Sequence, residues 1–209
     1  MEELIDIYDE DLHHIGVATR EEVHAKGYWH QTFHCWVVLI QAGIPYVVLQ
    51  KRHPTKDTNP NKLDVSCAGH LSAGEQISDG VRELHEELGL MVAFGALHPI
   101  DVVHVEARYK DIIDLEACHV FLHVAQCELA DLRPQLDEIL GLYLARLTDI
   151  IALFSEHATS IELSGYDVTP SGDRVDHVYH AAKGDFVRHT VDYYVDTLNA
   201  ISKLIAQTN

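Results

Sequence analysis

Between residues 69 and 90 the chain reads Gly-His-Leu-Ser-Ala-Gly-Glu-Gln-Ile-Ser-Asp-Gly-Val-Arg-Glu-Leu-His-Glu-Glu-Leu-Gly-Leu, and no other segment constrains the fold as strongly. Its core, residues 82–89, sets Glu83, Glu86 and Glu87 beside Arg82. On a helix, residues three and four apart share a face. The three carboxylates therefore project to one side, with Arg82 in reach of Glu86. Clustered carboxylates repel one another unless a hard cation sits among them. Oxygen donors of this kind suit Mg²⁺ or Mn²⁺, and Mg²⁺ is commonly shared between carboxylates and substrate phosphates. Taken alone, the Glu-Glu pair reads rather as a solvated acidic helix face; the whole string changes that reading. Ser78 is placed to cap the helix and Gly89 to end it.

The whole string resembles the Nudix box: Gly, five residues, Glu, seven residues, then Arg-Glu-apolar-any-Glu-Glu-any-Gly-apolar. Gly69, Glu75, Arg82, Glu83, Leu84, Glu86, Glu87, Gly89 and Leu90 fit by type. One departure stands out, since six residues, 76–81, separate Glu75 from Arg82 where the pattern has seven. The resemblance implies an α/β fold, a Nudix-type α/β/α sandwich with a mixed sheet, and a Mg²⁺- or Mn²⁺-dependent hydrolase of a diphosphate linkage. By the same resemblance, the carbonyl of Gly69 and the carboxylates of Glu86 and Glu87 hold the metal. Glu83 binds a metal-bound water or a second ion, and Arg82 orients the cluster. The base lies outside the box, at Glu116 or Glu138. Lys51, Arg52 and Lys56 are the expected contacts to the diphosphate.

The order of elements agrees. Residues 5–8 and 12–18 suggest a hairpin. Residues 33–41 and 46–51 are β-prone runs split by the turn signal Ala-Gly-Ile-Pro. A loop follows over 52–62 and a short strand over 63–68. Residues 91–105 and 114–127 read as strands around a charged loop at 106–111. A loop at 133–137, a strand over 142–147 and a helix from 147 to 156 complete a domain spanning 1–154. The remainder, 155–209, is a C-terminal extension. Its polar stretch 155–183, with Gly165, Pro170 and Gly172, suggests an irregular excursion. Residues 186–205 carry apolar side chains at helical period, predicting one long amphipathic helix. That helix either packs on the domain or forms a homodimer contact.

A net charge of −18 argues against a nucleic-acid polymer or an anionic membrane surface as partner, and would repel a diphosphate unless a cation or local basic residues bring it in. No apolar run approaches the roughly 20 residues that span a bilayer. The acidic N-terminus lacks the features of a signal peptide. Cys35, Cys67, Cys118 and Cys127 show no Cys-x-x-Cys spacing. Reduced thiols in a cytoplasmic protein are the expectation.

A second resemblance narrows the branch. Residues 23–34, followed by Leu-Gln-Lys-Arg at 49–52, Asp-Val-Ser-Cys-Ala-Gly-His at 64–70 and Asp-Leu-Glu-Ala-Cys-His-Val-Phe at 114–121, are similar to Nudix proteins related to type I isopentenyl-diphosphate isomerase. In the isomerase, three histidines and two glutamates bind a divalent metal. Here His24, His30 and His70 fall on the histidine positions, Glu116 on one glutamate and Asp114 on the other, with His24 and His30 one residue closer together. Such a set suits Zn²⁺, Mn²⁺ or Fe²⁺. The competing reading is a chance grouping in a chain with 16 histidines.

The isomerase's acid–base chemistry is not matched. Its cysteine directly precedes the Gly-His pair, and that place is Ala68. Cys67, one residue earlier, points to the opposite face of a strand and reads as a small buried hydrophobe. Three functions thus stand in order: diphosphate hydrolase, isopentenyl-diphosphate isomerase, and a non-catalytic ligand-binding domain. The substrate is a nucleoside diphosphate derivative or a similar small diphosphate. Tyr28, Trp29 and Trp36 are available to stack on a base or cover an isoprenoid tail.

Overall fold

Successive residues of a strand point to opposite faces, so a strand buried on both sides must lie centrally between two layers. In β3 (Trp29–Gln41), Phe33, Cys35, Val37 and Leu39 are buried on one face, and Trp36 and Val38 on the other. The computed structural model describes residues 2–108, 112–189 and 192–208. Residues 109–111 of the expected charged loop, and Val191 in the expected C-terminal helix, lie outside the described residues.

Around β3 the sheet is mixed. β3 pairs antiparallel with β4 (Ile44–Arg52) and β6 (Cys67–His70), and parallel with β8 (Ile113–Ala125). Beyond β4 come β9 (Ile139–Arg146), β10 (Ile161–Val168) and β11 (Arg174–Ala181), while the hairpin of β1 (Leu4–Tyr8) and β2 (His14–Thr19) joins on the other side of β3. β5 (Leu63–Asp64) pairs with β4, and β7 (His98–Arg108) with β8.

Helix α2 (Arg82–Leu88) packs Leu84 and Leu88 on the face that holds Phe33 and Val37. Helices α3 (Leu147–Phe154) and α4 (Tyr193–Thr208) cover the opposite face, against Trp36, Val38 and Leu49. The α/β/α layering expected from the sequence is therefore present.

Several elements differ from the sequence reading. A short helix, α1 (Arg20–Lys26), follows β2, with the Thr19 hydroxyl accepting from the Glu22 amide. Ser78 does not cap the box helix. A 3₁₀ turn over Ile77–Val81 precedes it, and that turn opens at Gln76, whose amide donates to Asp79. Gly89 ends α2 as expected, its φ of 71° lying in the left-handed region that glycine tolerates. Residues 91–97 hold a 3₁₀ turn (Phe94–Ala96), so β7 begins only at His98.

The tail departs most. Residues 161–181 form a hairpin that extends the sheet, with Ile161, Leu163, Tyr166 and Val168 buried. Pro170 and Gly172, which suggested irregularity, belong to its turn, where the Gly172 amide donates to the Thr169 carbonyl. The C-terminal helix starts at Tyr193 because Phe186 and Val187 run extended beside β5. Its apolar face, with Leu198, Ile201 and Ile205, is buried against the domain.

Truncating that face should destabilise the whole fold. Ile201→Ala is expected to cost about 2–5 kcal/mol in urea denaturation, and the exposed Lys203→Ala about 0.5 kcal/mol or less.

Candidate active site

A cavity of about 970 Å³ opens where β3, β6 and β8 meet α1 and α2, and its lining includes Glu83, Glu86, Glu87, His70, Asp114, Glu116 and Glu138. The carboxylates of α2 reach it as helical spacing requires. Arg82 organises them. Its guanidinium donates to Glu75 through Nε and Nη2 at 2.7 and 2.9 Å, and through Nη1 to Glu83 at 2.6 Å and Glu86 at 3.1 Å. A further bond at 3.0 Å reaches the His70 carbonyl. The missing residue before Arg82 therefore leaves Glu75 in place, held also by the Ser72 amide at 2.8 Å.

Glu83 and Glu87 are buried and Glu86 is exposed. Burial lifts the pKa of Glu83 to about 7 against the pull of Arg82. Burial also lifts Glu87 to about 8, and the Glu83 charge adds to the effect. Glu87 accepts from the Ala68 amide at 3.2 Å and from Gln50 at 3.3 Å, tying α2 to the sheet. A Cβ at Gly69 would stand 2.2 Å from the Glu83 carboxyl carbon, so a larger residue there would push Glu83 out of its present position beside Arg82.

A second cluster forms by strand register. The parallel pairing sets His30 opposite Glu116, and Thr32 faces Cys118 on one side and His70 on the other. His24 arrives from α1, and its ring lies against those of His30 and His70, with centroids 5.4 Å away from each. Asp114 Oδ1 is 3.5 Å from His24 Nε2 and 3.6 Å from His30 Nε2, and Glu116 is 3.9 Å from His30. These distances are too long for hydrogen bonds. Accordingly His24 Nε2, His30 Nε2 and Asp114 Oδ1 are buried without a hydrogen-bond partner among the described residues. The Nδ1 of His30 faces the Tyr28 carbonyl at 3.1 Å, which leaves Nε2 directed at the cluster. Burial lowers the pKa of His30 to about 3 and raises that of Glu116 to about 8. Neutral imidazoles with orphaned nitrogens beside carboxylates are a donor set that fits a divalent ion. The ligand atoms of His24, His30 and His70 lie within 4.8 Å of one another, as do those of His30, Asp114 and Glu116.

The structure does not gather all the expected cations. Arg52 and Lys56 line the cavity, Arg52 bonded to Asp64 at 3.1 Å and Lys56 paired with Glu138. Lys51 lies in a separate recess with Tyr143 and Tyr179, bonded to Asp167 at 2.9 Å. Trp36 is core, Trp29 packs on His104, and neither they nor Tyr28 line the cavity. Sequence reasoning passed over His34, Asp64, Arg188 and His189, which do. The period-two spacing of His30, Thr32 and His34 was the available signal for the first. Arg188 and His189 depend on how the C-terminal segment crosses the sheet, whereas Asp64 comes from β5.

A family description, the NUDIX domain, matches residues 29–184. Among curated proteins, an uncharacterised Nudix hydrolase of Clostridium acetobutylicum is 40% identical over 200 residues, which cover 96% of this chain and 97% of that protein. Nudix hydrolase 3 of Arabidopsis thaliana is 36% identical over 112 residues, 53% of this chain but 14% of that protein. Among solved structures, one from Deinococcus radiodurans shares the fold with a TM-score of 0.54 at 18% identity, covering 74% of this chain and 90% of the other.

Raised carboxylate pKa values give a pH signature. Groups protonated in the fold near neutrality but already ionised when unfolded stabilise the fold below pH 4.5, and that contribution is lost as pH rises through about 7 and 8. In EDTA the melting temperature should fall from pH 5 to pH 9, and Glu87→Gln should flatten the decline. Mg²⁺ or Mn²⁺ should restore the lost stability most strongly at high pH, because ligation requires the ionised carboxylates.

Proposed function

The chain belongs to the Nudix hydrolase family, which acts on pyrophosphate bonds of small molecules, and from this premise we propose a divalent-metal-dependent hydrolase of a nucleoside diphosphate derivative or similar small diphosphate. The observation that carries the reading is the carboxylate set of α2, two members buried, facing one cavity with Arg82 bonded across it. Mg²⁺ or Mn²⁺, when bound, supplies charge neutralisation for the phosphates and an acidified water. Glu86, Glu87 and the Gly69 carbonyl would hold it. Glu87 is positioned for this by its bonds to Ala68 and Gln50.

Arg82 fixes the rotamers of Glu75, Glu83 and Glu86 at once. Glu83, bonded to Arg82 at 2.6 Å, would orient a water at the metal. We assign the base to Glu138 rather than Glu116. Glu138 stands on the same cavity near enough for its charge to raise Glu87, and Lys56 holds its side chain. Glu116 faces His30 instead. The cluster of His24, His30, His70, Asp114 and Glu116 is read as a second divalent site, for Zn²⁺, Mn²⁺ or Fe²⁺.

The isomerase reading is weaker on chemistry. Ala68 sits opposite His34, while Cys67 pairs with Cys35 in the core beneath α2. Cys118 does share a face with Glu116, but its thiol is 3.5 Å from that carboxylate. A thiol and a carboxylate in contact cannot flank opposite faces of an allylic carbon. Four free cysteines accord with a reducing compartment, and the cytoplasm is the proposed location. No helix among the described residues is long and apolar enough to cross a membrane.

Release of phosphate from a panel of nucleoside and isoprenoid diphosphates, with Mg²⁺, Mn²⁺ or EDTA, tests the reading. Metal-dependent turnover of one class is expected, and conversion of isopentenyl diphosphate without phosphate release would replace it with the isomerase. Loss of a residue that merely supports a metal ligand costs about 10–100-fold in activity. Glu87→Gln, which alters a ligand itself, should exceed that in kcat. Metal analysis should find two divalent ions per chain, falling to one in His30→Gln.

A further inference from the structure

Almost every cation around the cavity is already spoken for. Arg52 bonds Asp64 at 3.1 Å and the Thr58 carbonyl at 3.2 and 3.1 Å. Lys56 pairs with Glu138, and Arg20 lies 3.6 Å from Glu3 and 3.7 Å from Asp57. Arg82, which does not itself line the cavity, is held by Glu75, Glu83 and Glu86. Arg188 is the exception. It lines the same cavity with an exposed side chain, and among the described residues its guanidinium makes no hydrogen bond or ion pair.

Its backbone, in contrast, is pinned on both sides. The Val187 amide donates to the Leu63 carbonyl at 2.8 Å, and the Tyr194 hydroxyl donates to the Val187 carbonyl at 2.9 Å. Phe186 bridges to Leu63, and His189 Nε2 is 3.4 Å from Asp64 Oδ1. Phe186 and Val187 are buried. The chain therefore fixes the base of Arg188 at the cavity while leaving its guanidinium available. The family match ends at residue 184, so this arrangement belongs to the segment beyond it.

An anion entering a cavity walled by carboxylates is steered by charge that has not been neutralised. Guanidinium matches a phosphate through two parallel N–H···O bonds. We propose that Arg188 is a substrate-binding residue that grips a phosphate of the diphosphate. This rests on the hydrolase reading above.

The test is calorimetric binding of methylenediphosphonate, a non-hydrolysable diphosphate, to the full chain in Mn²⁺. Arg188→Ala should weaken binding tenfold or more, and Arg188→Lys should recover part of it. Lys183→Ala should bind as wild type, because Lys183 is bonded to Glu156 at 3.1 Å and does not line the cavity. With a turned-over diphosphate, Arg188→Ala should raise KM far more than it lowers kcat. Unchanged binding in Arg188→Ala, with binding lost in Glu87→Gln, overturns the role of Arg188 and leaves the hydrolase site standing. Equal weakening in Arg188→Ala and Lys183→Ala also overturns it, since general charge would then suffice. Failure of the wild-type chain to bind the probe with metal overturns the hydrolase reading and the Arg188 role together.

Discussion

Burying ionisable groups is the constraint on which the rest depends. Glu83 and Glu87 sit where α2 meets β6, out of water, and a carboxylate there has either to take a proton or to find a positive partner. Arg82 supplies part of the answer for Glu83, and backbone and amide donors supply part for Glu87. Neither is complete. The same tension recurs across the sheet, where burial raises the pKa of Glu116 to about 8 and three histidine and aspartate atoms have no hydrogen-bond partner among the described residues. Two incompletely satisfied clusters on one cavity are costly in a stable fold and make sense where ions and substrate complete them.

The layers explain how the clusters come to face each other. β3 divides its side chains so that core residues beneath α2 alternate with His30, Thr32 and His34. The neighbours β6 and β8 match that register, adding His70, Glu116 and Cys118 to the same face. The site is thus one surface of the central sheet, with α2 contributing from its edge at Gly69, where a hydrogen leaves room for Glu83.

The box was legible because each of its features is local: a helix face, a left-handed terminator at Gly89, a glycine beside a carboxylate. The histidine set was legible only through resemblance, since His24 and His70 meet by way of α1 and a strand register that spacing does not encode. The hairpin of β10 and β11 was hidden by Gly165, Pro170 and Gly172. Gly165 sits within a strand because a Cβ there would stand 2.1 Å from the Leu142 carbonyl. The start of α4 was misjudged because Phe186 and Val187 are apolar for a different reason, their burial beside β5. Periodicity cannot tell a helix face from an extended segment packed on the core. Lys51 and Arg52 are adjacent on β4 and so point to opposite sides, which is why one reaches the cavity and the other does not.

The parallel pairing of β3 with β8 has a temporal consequence. Its register joins Trp29 to Leu115 and His30 to Glu116, partners 86 positions apart (115 − 29 and 116 − 30) with the whole box between them. Closing so long a loop is entropically slow, and contacts of large sequence separation govern folding rates. The box helix and the β3–β4 hairpin can assemble from nearby residues before that pairing exists. The histidine–carboxylate cluster cannot. An ion held by His30 and Glu116 together would therefore mark the completion of this pairing, and a chain stalled before that step would carry its box yet have no second cluster to offer.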